Sequence, residues 1–179
     1  MKFPKSCPKC KGQFKLSDIE NNLPAYVCKS CDGIFLGIPE LNTWLSSHEK
    51  TIASTTTSSE LILDEDNHKP LRCPFSGTFM IKYRFSANSE RYLEYSSIHK
   101  IIWLDKGEWQ LLKSLGLIPD IPKFFSKSWQ KDIVQEGMHK IVEEKYKERF
   151  ADDYEEILTF KNQFKKHKLF KEIQAYLDI

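Results

Sequence analysis

The sequence predicts an α+β protein in which two β-hairpin/helix units stand in tandem and a helical region follows. Three observations predict it. Two Cys-x-x-Cys pairs fall within the first 31 residues, a run of residues recurs at an offset of 66 to 68 positions, and apolar spacing turns helical after Leu117.

The first unit covers residues 1–50. Cys7-Pro8-Lys9-Cys10 and Cys28-Lys29-Ser30-Cys31 use four of the five cysteines and are separated by 17 residues. A Cys-x-x-Cys turn holds two sulfurs at the separation a tetrahedral zinc ion requires, so Cys7, Cys10, Cys28 and Cys31 are the expected ligands of one structural Zn²⁺. The competing reading is two disulfides or idle thiols. No apolar run opens the chain, as a secretory leader would, and this places the thiols in a reducing compartment, the cytoplasm, where metal is favoured. Residues 12–16 and 25–28 form the arms of a hairpin, with Asn21-Asn22-Leu23-Pro24 as its turn, and Pro39 starts a helix. The result is a zinc ribbon, whose metal substitutes for a core too small to stand alone. Four thiolates leave no open coordination position, which makes the ion structural rather than catalytic.

Residues 51–70 read as a linker. Serine and threonine crowd residues 46–59, and Glu60 and Asp64-Glu65-Asp66 follow. Leu61-Ile62-Leu63 could add a short edge strand.

The second unit covers residues 71–118. Cys73-Pro74 repeats Cys7-Pro8, and the run from His99 through Trp103-Leu104 to Gly107-Glu108 repeats the run from Cys31 through Phe35-Leu36 to Pro39-Glu40. The alignment sets Cys73 opposite Cys7, Ser76 opposite Cys10, Ser96 opposite Cys28 and His99 opposite Cys31. Hydroxyls are poor zinc ligands beside thiolates, so this copy is expected to be metal-free. Cys73 and His99 remain weak candidates for a second site, completed by water or by His68 or His139. Residues 78–85 and 91–95 are the hairpin arms. Their aromatic content, with Phe79, Tyr83, Phe85, Tyr92 and Tyr95, is expected to replace the metal as the source of cohesion. Asp105 and Glu108 have the spacing of a capping box for the helix after this hairpin.

These residues resemble the transcription factor zinc-finger family, named after the ribbon of transcription factor IIB. Its repeats carry a Cys-Pro-x-Cys knuckle, a hairpin, and a second knuckle followed by Gly-Val/Ile-Trp/Phe-Leu-Asp and a Gly-Glu-Leu helix start. The first copy matches at Cys7, Pro8, Cys10, Cys28, Cys31, Gly33, Phe35, Leu36, Glu40 and Leu41, and the second at Cys73, Pro74, Trp103, Leu104, Asp105, Gly107 and Glu108. The resemblance implies tandem ribbons, the second degenerate, in a small bacterial intracellular protein. The family name records a likeness of ribbons, so no role in transcription is implied by it.

Residues 119–179 complete the chain. Ile118-Pro119-Asp120-Ile121-Pro122 is a stiff connector, and Ser128 is the expected cap of a helix running to about Phe150. Trp129, Ile133, Met138, Ile141, Val142 and Tyr146 share a face of it. Two more helices are expected around Ile157 and Ile173. They form a bundle that packs on itself or on the ribbons, or a surface for dimerisation or for docking a partner.

Composition narrows the function. The net charge is +2, and no apolar run is long enough to span a bilayer. The chain lacks a phosphate loop, a nucleophile elbow and a His-Glu-x-x-His motif, and its carboxylates lie mostly in helical runs; the sequence therefore predicts no enzyme. It predicts a zinc-stabilised adapter binding another macromolecule, above all a protein, with a homo-oligomer formed through the helical region a further possibility. The alternative is a nucleic-acid-binding regulator, in which Lys9 and Lys11 beside the first knuckle contact phosphates. A dedicated nucleic-acid module is usually more basic than this chain.

Overall fold

The computed structural model describes residues 4–52 and 69–177. Most of the predicted linker, including Leu61-Ile62-Leu63 and His68, lies outside the described residues.

The chain divides into two compact units, residues 1–134 and 135–179. The first is built on one six-stranded sheet. Strands β1 (Phe14–Glu20), β2 (Leu23–Cys28) and β3 (Ile34–Gly37) lead into helix α1 (Ile38–Ile52), and β4 (Ile81–Arg84), β5 (Tyr92–Ser96) and β6 (Ile101–Leu104) lead into α2 (Glu108–Ser114). The strand order is β1-β2-β3-β6-β5-β4, and every neighbour is antiparallel.

The first hairpin is tighter than expected. Asn21 and Asn22 both adopt positive φ, 40° and 67°, and make a two-residue turn that lets β1 extend to Glu20. Asparagine tolerates this region, and the turn's twist matches that of the strands it joins. Two indoles hold the corner: Trp44 of α1 donates to the Asn21 carbonyl (3.1 Å) and Trp109 of α2 to Glu20 (3.0 Å).

The two halves meet along β3 and β6. Ile34 pairs with Leu104, Phe35 with Trp103, Leu36 with Ile102 and Gly37 with Ile101. All eight residues are buried, which is why both strands read as continuous apolar runs. Alternation then builds two cores. Ile34, Leu36, Ile102 and Leu104 face α1, α2 and a 3₁₀-helix (Ile118–Lys123), while Phe14, Phe35, Ile101 and Trp103 face the cysteine turns.

Two helix starts differ from expectation. The side chain of Asp105 does not cap α2. Its Oδ1 instead accepts the Trp103 indole N–H (3.0 Å), so only half of the capping box forms, with the Asp105 N–H donating to Glu108 Oε2 at 2.8 Å. The cap of α3 (Lys127–Phe150) is Ser126 rather than Ser128, its Oγ accepting from the Trp129 N–H. Gln130, one turn in, fastens this helix to the edge strand, donating to the Arg84 carbonyl (2.7 Å) and accepting from the Arg84 N–H (3.3 Å). Helix α1 extends through Ile52, past the point where the serine-rich segment begins, with a kink at His48.

The second unit holds the rest of α3, then α4 (Tyr154–Lys165) and α5 (Phe170–Leu177). Tyr154 is its one buried side chain among the described residues, and its hydroxyl donates to Glu143 (3.0 Å). Met138, Ile141, Val142, Tyr146, Phe160 and Tyr176 are exposed. No helix of the described residues is long and apolar enough to cross a membrane.

Candidate metal centre

The four predicted ligands converge. The sulfurs of Cys7, Cys10, Cys28 and Cys31 all lie within 4.8 Å of one another, with Cys7–Cys31 at 3.7 Å and Cys10–Cys28 at 3.4 Å. A zinc tetrahedron with 2.3 Å bonds has sulfur–sulfur edges of about 3.8 Å, so the cluster fits the ion.

Each cysteine turn is set by backbone. Cys7 N–H donates to the Gly12 carbonyl (2.9 Å) and Lys11 N–H to the Cys7 carbonyl (3.0 Å); Cys28 N–H donates to Gly33 (2.8 Å) and Asp32 N–H to Cys28 (3.1 Å). Lys11 and Asp32 close the turns at positive φ, 64° and 55°. Amides then point at sulfur: Cys10 N–H at Cys7, Gly12 N–H at Cys10 and Ser30 N–H at Cys28, at 3.4 to 3.5 Å. Such donors stabilise thiolate, the form that binds metal.

Charge makes a cation necessary. Burial pushes the Cys7 thiol up to about 11, and burial likewise raises Cys31. Burial acts upward on Cys28 too, but amide donors from Ser30 and Cys31 and the neighbouring thiols bring it down to about 7. Four thiols this close cannot all ionise unaided, and a dication supplies the compensation. The residues hold one structural Zn²⁺, which contributes a four-way cross-link and no open coordination position.

A second cluster lies on the same face of the sheet. Cys73 N–H donates to the Thr78 carbonyl and Gly77 N–H to the Cys73 carbonyl, both at 2.8 Å, as Cys7 and Lys11 do. Gly77 (φ 73°) and Lys100 (φ 52°) take the positions of Lys11 and Asp32. Cys73 Sγ and His99 Nδ1 stand 3.5 Å apart, and the His99 ring lies against Phe75 with centroids 5.3 Å apart. Cys73 is fully buried, which alone would raise its thiol, yet the pKa is lowered by the Ser96 hydroxyl and by amides of Ser76 and Phe75. Ser96 lies off ideal hydrogen-bond geometry but close enough to favour the thiolate. Ser76 turns away to Thr78 (2.8 Å).

The two lysines have different settings. Lys9 lies 3.1 Å from buried Asp105, tying the first cysteine turn to the other half of the sheet, whereas Lys11 is exposed.

The sequence reading missed Glu94, and it took Asp105 and Glu108 as a capping box without foreseeing their burial. Glu94, Asp105 and Glu108 are each at most 2 % exposed; Lys82 approaches Glu94 at 3.5 Å, and Arg91 approaches Glu108 at 3.4 Å. Burial, aided by the other two carboxylates and opposed by Lys82, raises the Glu94 pKa to about 8. The strand pattern gives no signal of this burial, because alternation sets Glu94 with Tyr92 and Ser96 on a face that reads as polar.

Residues 6–47 match the model of a family described as transcription factor zinc-finger, the segment that contains the four ligands. Comparison with curated proteins and with solved structures returned no match.

Proposed function

We propose that the protein is a non-enzymatic, zinc-stabilised adapter that binds another protein, and that residues 71–118 are a second, degenerate copy of the ribbon kept for its scaffold. The observation that carries the adapter reading is the exposed apolar surface of the second unit. Among its described residues this unit buries one side chain and leaves Met138, Ile141, Val142 and Phe160 in water, an exposure that supports a protein-binding surface. The closed thiolate site supports the same reading, since its ion has no position left for a substrate. The degenerate copy is supported by the repeated backbone bonds at Cys7 and Cys73 and by the order strand-strand-strand-helix in each half.

Either a host protein or a second copy of the chain could cover the helices. The nucleic-acid alternative has less support, because Lys9 is engaged by Asp105.

The test is affinity capture with the full chain, run beside a Met138→Glu/Ile141→Glu variant. Both positions are more than half exposed, so the variant should fold. Capture of a defined protein, or self-association, that the variant loses is the expected result. Capture indifferent to the variant, or binding only to nucleic acid with steep salt dependence, would sink it.

A further inference from the structure

We propose that the cleft between the two halves of the sheet, on the face that carries the cysteine turns, receives a tryptophan side chain presented by a partner polypeptide. This rests on the adapter reading and specifies part of the partner's chemistry.

The cleft has a volume of about 450 Å³, within the usual range for ligand sites, and is lined by Leu16, Tyr26, Phe35 and Glu40 from the first half and Phe75 and His99 from the second. The molecule shows what fills the corresponding place on the other side of the central strand pair. There Trp103, paired with Phe35, lies over Gly33 so closely that a Cβ on Gly33 would sit 2.2 Å from the ring. Its indole N–H meets the Asp105 carboxylate at 3.0 Å, and Lys9 balances the charge from 3.1 Å.

On the cleft side each of those parts is altered. At the offset that relates the two halves, Phe35 stands for Trp103, Gly37 for Asp105, Tyr26 for Glu94 and Glu40 for Glu108. The smaller ring and the missing carboxylate leave the space open. Glu108 has both oxygens satisfied, by the Asp105 N–H and by Arg91. Glu40 lines the cleft and is half-buried; its Oε2 is shielded and has no hydrogen-bond partner among the described residues, so a donor in the cleft meets it when the carboxylate turns.

The lining therefore asks for two things at once. Its rings favour a flat apolar group that can stack or pack edge-on, and its carboxylate favours a donor. An anion would be repelled by Glu40, and a phenyl ring would leave it unsatisfied. An indole supplies both ring and N–H, as Trp103 does within the fold.

The experiment uses full-length, zinc-loaded protein with labelled methyl groups and N-acetyl-tryptophanamide as the probe. Saturable shifts at Leu16 and at Ile101, which also lines the cleft, are expected. Affinity should fall about tenfold for the 1-methylindole analogue, which keeps the ring and lacks the donor. Leu16→Arg, at an exposed position, should abolish the Ile101 shift with zinc content unchanged, and Glu40→Met, which removes the acceptor, should erase the preference for N–H over N-methyl. The proposal is overturned by an absence of saturable shifts, by equal binding of the 1-methyl or phenylalanine analogue, or by tighter binding of N-acetyl-argininamide. A chain that captures a partner yet ignores the probe would overturn the cleft and leave the adapter reading standing. A chain that binds the probe and captures nothing would do the reverse.

Discussion

The two cysteine turns at Cys7 and Cys73 carry the same backbone bonds and differ in the side chains that complete them. At the first, four sulfurs crowd within 4.8 Å beside the rings of Phe14, Phe35 and Trp103. At the second, one thiol and one imidazole lie 3.5 Å apart with Phe75 against the imidazole, while the neighbouring hairpin packs its tyrosines on the opposite face of the sheet, Tyr83 against Tyr95 and Tyr95 stacked on Phe125 at 4.1 Å. One turn is thus closed by four metal ligands and the other by a hydrogen bond and a ring contact. What this teaches is that one form of backbone turn can be closed by a full ligand set or by fewer groups, where a shared apolar core backs both.

The largest effect should come from removing the metal. Chelation, or Cys28→Ser, should unfold the first hairpin at a cost on the order of 10 kcal/mol. Because β3 pairs with β6, circular dichroism should show loss of most of the sheet rather than of one hairpin. If the sheet survived chelation intact, the metal would be dispensable and the contrast between the turns would vanish.

A gain of metal at the second turn sharpens the comparison. The separation of Cys73 and His99, 3.5 Å, is close to the about 3.6 Å edge of a zinc tetrahedron spanning sulfur and nitrogen. Ser76→Cys with Ser96→Cys should therefore raise zinc from one to two ions per chain by elemental analysis and stabilise the protein by several kcal/mol. A stoichiometry that stayed at one would show that the second frame no longer matches a ligand frame.

The smallest of these effects concerns Glu94. Its pKa is raised to about 8, so the folded protein holds a proton that the unfolded chain releases near the ordinary carboxylate range. Stability from this group is full below that range and is lost as pH rises towards about 8. Glu94→Gln should flatten the fall between pH 5 and 8 and stabilise the protein at pH 8 by roughly 1–3 kcal/mol, measured by denaturant unfolding at each pH. An unchanged pH profile would show that Lys82 compensates the carboxylate fully.

What was legible in the sequence is what lies close along the chain. The metal ligands are fixed by short spacings, and α3 by a long apolar period ending at Phe150. The pairing of Phe35 with Trp103 was not legible as a pairing, because two apolar runs with similar sequences can be parts of separate ribbons or of one sheet. Asp105 illustrates a second limit. Its local pattern is that of a cap, but an indole two residues earlier makes a better-buried partner for the carboxylate. The cleft escaped for the same reason as the pairing, since its walls come from both halves.

The central pairing also sets an order of events during synthesis. All four thiols belong to the first 31 residues, whereas the strand that completes the sheet beside Phe35 begins at Ile101. At about 5–20 residues per second the ribosome exposes the metal ligands several seconds before it delivers β6. Zinc can therefore be captured by a nascent hairpin whose inner edge is still unpaired, and the late arrival of Trp103 then covers a site that is already loaded.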